Sequence, residues 1–91
     1  MTPEQATAVY DILVRHAGAR GDGRDEFVHH LTHGCTEFRF MGSLGFGGKL
    51  YVEPGRWRVD CYPEDSTAAR EAAIRVANAA LNRLHDQLVK L

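Results

Sequence analysis

A chain of 91 residues with a net charge of −1 is long enough for one hydrophobic core and too short for two. Its charges are dispersed, which argues against the non-specific attraction to nucleic acid or membrane that a basic face supplies, and no run approaches the roughly 20 apolar residues needed to span a bilayer. With no basic-then-apolar signal at its start, the chain is expected to be one cytoplasmic α+β domain over residues 1–91.

The first helix opens on Thr2-Pro3-Glu4-Gln5, with Thr2 as N-cap, Pro3 at the first helical position and Gln5 placed to close a capping box. Ala6, Val9, Tyr10, Leu13 and Ala17 then recur at steps of three and four and form one core-facing stripe, which Gly18 ends. A shorter helix is expected from Arg24 to His33, capped by Asp22 or Asp25, burying Phe27, Val28 and Leu31 and stopped by Gly34.

After Gly34 the period changes to two. Phe38 and Phe40 fall on one face of a strand, and Glu37, Arg39 and Met41 on the other. A glycine-rich turn, Gly42 to Gly48, leads into a second strand, Lys49 to Glu53, with Leu50 and Val52 inward. Pro54 and Gly55 hold the middle positions of a type II turn, a type that splays a tight hairpin, so a somewhat wider loop is expected there. In the third strand, Arg56 to Tyr62, the side chains of Trp57, Val59 and Cys61 point inward.

The last helix runs from about Thr67, entered through Pro63-Glu64-Asp65, whose carboxylates suit the positive end of the helix dipole. Ile74, Ala77, Leu81, Leu84, Leu88 and Leu91 form a short heptad seam. A second stripe of Ala69, Ala73, Val76 and Ala80 widens that face enough to cover a sheet and touch a further helix, either the first helix or that of a second copy in a homodimer. Glu71 with Arg75 and Asp86 with Lys90 are spaced to pair on the opposite side. The predicted architecture is two N-terminal helices, a three-stranded antiparallel meander and a long C-terminal helix, with the helices on one sheet face. From the second helix onward this order is similar to that of the double-stranded-RNA-binding domain.

Candidate chemistry is sparse. The Gly42–Lys49 turn departs from a Walker loop at Ser43, where glycine is required, and at Leu50, where Ser or Thr is required, and no helix follows it. His29, His30, His33 and Cys35 are the densest cluster of potential metal ligands, with His29 and His33 on one helix face. A zinc site would need a ligand from elsewhere, such as Cys61 or His16, and spacing alone does not supply it, so no metal site and no cofactor are assigned. Neither Cys35 nor Cys61 has an orienting pair for nucleophilic catalysis, and an enzyme is not expected. In a simple meander the two cysteines stand at opposite ends of the sheet, too far apart for a disulfide.

Two surfaces remain. Leu44 and Phe46 are apolar residues at the tip of a glycine-rich turn, available either to the core or to a partner, and Lys49 follows them. Arg39, Arg56 and Arg58 lie on the open sheet face with Tyr51 and Tyr62, a pattern of cations and rings that also suits nucleic acid, although Glu37, Glu53 and Asp60 share the face. In the RNA-binding domain the last helix starts lysine-rich, whereas Pro63-Glu64-Asp65-Ser66 here would repel phosphate.

The block FRFMGSLGFGGKLYV, followed by RVDCYPEDST and a helix containing Ala77-Asn78-Ala79-Ala80, resembles small uncharacterised proteins encoded by actinobacteria and their bacteriophages, over roughly Phe38 to Leu81. The resemblance implies an accessory protein that binds a host or phage macromolecule. The expected function is a protein-interaction module contacting a partner through Leu44, Phe46, Lys49, Arg39, Arg56 and Arg58; the alternative is a nucleic-acid-binding protein using the same sheet face.

Overall fold

The computed structural model describes residues 1–42 and 47–89. Helix α1 (Pro3–His16) starts as its sequence dictates: Thr2 accepts from the Gln5 N–H at 3.1 Å, and the Gln5 side chain returns to the Thr2 N–H at 2.9 Å. Ala6, Val9, Tyr10, Leu13 and Ala17 are all buried. Gly18 ends the helix at φ 78°, and the N–H groups of Ala17 and Ala19 both return to the Leu13 carbonyl.

Helix α2 (Arg24–Thr32) buries Phe27 and Leu31 and leaves Val28 half-buried. Neither Asp22 nor Asp25 caps it. A 3-10 turn, Gly21–Gly23, runs into the helix, Gly23 is the N-cap, and the Asp22 carboxylate is held by Arg20 at 2.7 Å. A Cβ on residue 23 would lie 2.7 Å from the Tyr10 hydroxyl, so the packing of α1 demands glycine where local propensity favours a carboxylate.

Strands β1 (Glu37–Met41), β2 (Gly47–Glu53) and β3 (Arg56–Cys61) form an antiparallel meander in sequence order, with Phe38 opposite Leu50 and Leu50 opposite Val59. β2 begins two residues earlier than the alternation predicts. At Gly48 a Cβ would meet the Asp60 carbonyl and the Phe40 ring, both at 2.7 Å, so the glycines there are strand positions pressed from both sides. The β2–β3 turn is tighter than expected: Glu53 pairs with Arg56 across only Pro54 and Gly55, the latter at φ 86°. Glu53 clips the hairpin mouth, accepting from Arg58 at 2.8 Å and Arg56 at 3.3 Å.

Helix α3 (Ala68–Leu88), capped by Thr67 on the Arg70 N–H, lies along β3 and against α1, and α1 packs in turn on α2. All three helices cover the face carrying Phe38, Phe40, Leu50, Val52, Trp57, Val59 and Cys61. Ile74, Ala77, Leu81 and His85 are buried on α3, and His85 stands edge-on to Trp57 at 4.9 Å. Tyr10, Phe27 and Phe38 form a chain of ring contacts at 4.8 and 5.0 Å that joins both N-terminal helices to β1; fully burying a side chain of this size is worth about 1.5–3 kcal/mol.

Only part of the second stripe of α3 packs within the chain. Ala80 is buried and Ala73 half-buried, but Ala69 and Val76 are exposed, because two neighbours cover only the arc centred on Ala77 and Leu81. Glu71 accepts from the Ser66 hydroxyl at 2.8 Å rather than forming the predicted pair with Arg75. Lys90 and Leu91 lie outside the described residues, as do Leu44 and Phe46. Among the described residues no helix is long and apolar enough to cross a membrane.

Candidate functional site

Strand alternation turns Glu37, Arg39, Lys49, Tyr51, Glu53, Arg56, Arg58 and Asp60 onto the face away from the helices. Tyr51 is central. The Lys49 ammonium lies 5.3 Å and the Arg58 guanidinium 4.2 Å from its ring centre, so two cations approach one aromatic ring.

Each of these cations meets a carboxylate of the same chain. Lys49 reaches Glu37 at 2.8 Å, Arg58 reaches Glu53 at 2.8 Å and is also bonded to Asp60, and Arg56 shares Glu53. The hydrogen bond to Glu37 raises the Lys49 pKa, the bond from Arg58 lowers that of Glu53, and the bond to Glu53 raises that of Arg58. Arg39 stands opposite Lys49 on the exposed edge strand and has no ion pair among the described residues. Four of the six expected contact residues, Arg39, Lys49, Arg56 and Arg58, therefore share one surface.

Two clamps hold this sheet, and both come from α3. The Asn78 amide accepts from the Val59 N–H at 2.8 Å and donates to the Val59 carbonyl at 2.9 Å, occupying the free edge of β3. The Arg70 guanidinium donates to the Ala17 carbonyl at 2.9 Å and the Gly47 carbonyl at 3.2 Å, which ties the end of α1 to the start of β2. Sequence reasoning assigned neither residue a role; the available signal was a polar side chain set among alanines.

The histidine group is local. The His29 and His33 rings meet at a tilt of 41° with centroids 4.4 Å apart, and His33 Nδ1 lies 2.6 Å from the His29 carbonyl oxygen. The Cys35 thiol donates to the Glu37 carbonyl at 2.7 Å, at the opposite end of the sheet from Cys61. Among the described residues no three His, Cys, Asp or Glu side chains converge as a metal site would require. Comparison of the chain with protein-family models, with curated proteins and with solved structures returned no match.

Proposed function

We propose that this chain is a small cytoplasmic protein-interaction module acting by stoichiometric binding, in the setting its resemblance implies: a phage or prophage accessory protein that modulates a host protein. One observation carries the reading. On the open sheet face Lys49, Arg56 and Arg58 are engaged by Glu37, Glu53 and Asp60 around Tyr51. Nucleic-acid binding works through free cations that neutralise phosphates and release the counterions condensed on the nucleic acid, whereas a charge-balanced surface with an aromatic centre suits a protein partner. The proposed action needs neither catalysis nor a cofactor. Exposed Val76 and Leu88 on α3 support a homodimer through that helix as an additional association.

The test is capture of partners on the immobilised chain from a bacterial host lysate, with and without nuclease, read by mass spectrometry. A protein retained after nuclease and at raised salt supports the module. Capture that vanishes on nuclease treatment and falls steeply with salt would replace it with the nucleic-acid alternative.

A further inference from the structure

The two edges of the sheet are finished differently. On β3 the outward groups of Val59 are both taken by Asn78. On β1, the Thr36 carbonyl accepts from the Val52 N–H at 2.8 Å, so the backbone groups of Phe38 and Phe40 face β2 and those of Glu37, Arg39 and Met41 face away. The Met41 carbonyl is satisfied by the Arg20 N–H at 3.2 Å, where Ala19 and Gly42 form an antiparallel bridge, and the Glu37 carbonyl by Cys35. The Arg39 N–H and carbonyl and the Glu37 N–H have no partner among the described residues.

The chain thus begins a fourth strand at Ala19–Arg20 and then abandons it, turning through Gly21–Gly23 into α2. The space left is a cleft of about 410 Å³ between β1 on one side and Asp22, Gly23 and Glu26 on the other. At its rim Arg20 pairs with Asp22, while Arg39 has no ion pair among the described residues.

We infer that the β1 edge is a docking site for one extended peptide segment of a partner protein, added as a short fourth strand, with an acidic side chain opposite Arg39 between apolar neighbours. Unpaired main-chain groups give a strand its affinity, and alternate side chains give it specificity. The residue facing Arg39 lies on the outer face, where a carboxylate meets the guanidinium; its neighbours turn inward, over Phe38 and Phe40 in the cleft. This site rests on the interaction-module reading and narrows its partner to a peptide strand.

The experiment pans a displayed random heptapeptide library against the full chain. Enriched peptides should carry a carboxylate flanked by apolar residues and should slow hydrogen exchange at the Glu37 and Arg39 amides. Arg39→Pro deletes an outward N–H and no ladder bond, and should weaken binding at least about tenfold. Arg39→Gln, which keeps both backbone groups, should weaken it less and relax the acidic preference. Because Arg39→Pro perturbs the strand, a peptide N-methylated at the amide that meets the Arg39 carbonyl, tested on the unaltered chain, should also lose binding. The inference falls if no sequence is enriched, if enriched peptides leave the two amides unprotected, or if N-methylation changes nothing. Concentration-dependent protection of the same amides without peptide would assign the edge to a second copy and overturn it too. Failure of the module reading is separate: it is the lysate capture with no nuclease-resistant protein.

Discussion

Replacing Asn78 by Ala removes a single amide and orphans two backbone groups. Val59 has no exposed surface, and both its N–H and its carbonyl are satisfied by Asn78 at 2.8 and 2.9 Å. Two ordinary hydrogen bonds set a floor near 2 kcal/mol, and leaving buried partners unmade raises it; clefts beside Asn78 admit water and hold the total to about 2–4 kcal/mol. For a domain of this size that is a fall in Tm on the order of 10–20 °C. Urea denaturation should show a lower midpoint at unchanged slope. Asn78→Asp adds a second test. The introduced carboxylate accepts from the N–H but opposes the carbonyl, and a proton restores the donor, so its folded pKa is raised above an unfolded value near 3.9. The stabilising form is then fully present below that unfolded value and is lost as pH rises through the folded one. A loss below about 0.5 kcal/mol for Asn78→Ala, or a pH-independent deficit for Asn78→Asp, would refute the clamp.

Two glycines should respond differently to alanine. Gly48→Ala drives a Cβ into the Asp60 carbonyl and should cost about 1–3 kcal/mol or more, whereas Gly55→Ala meets open space and loses only the roughly 1–2 kcal/mol of a left-handed residue, which Gly55→Asn should partly recover in the same denaturation series. Burial first, and then Asp22, raises the Tyr10 pKa. Stability from the neutral phenol is therefore complete below its usual 10.0 and is lost as pH rises through the higher folded value, so a late tyrosinate absorbance step should coincide with loss of structure and be absent in Tyr10→Phe. The lowered pKa of Glu53 has the opposite sign: its contribution is complete above the usual 4.5 and is lost as pH falls through the folded value. A carboxyl-carbon NMR titration should show that depression in the native chain and its return toward the usual value in Arg58→Ala; an unchanged Glu53 titration would dissociate the pair.

What was legible in the chain was whatever is decided by neighbours. Thr2, Pro3 and Gln5 lie within one turn, and the phase of each strand follows from alternation, so the start of α1 and the inward sets of β1 and β3 could be read directly. The cap of α2 could not, because the demand for Gly23 comes from the Tyr10 hydroxyl on another helix. The same distance hides the clamps: Asn78 acts 19 residues away and Arg70 acts 53 and 23 residues away, separations that leave no local period. The exposed half of the second α3 stripe shows a related limit, since apolar residues on a helix state a capacity for burial and the number of neighbours decides how much is used. On the sheet face the cations were visible as a list. Their cross-strand partners depended on register, which sets Lys49 beside Glu37 and Arg58 beside Glu53.

The Asn78 amide also bears on how the molecule behaves in a crowd. Growth of a sheet from molecule to molecule needs two receptive sides, one to accept a strand and one to offer the pattern onward. With the middle of β3 occupied by a side chain that imitates a neighbouring backbone, the pattern stops there. A strand continuing the pattern on β3 would have to displace Asn78, which favours a closed pair or a single captured strand at the other side over an open-ended filament.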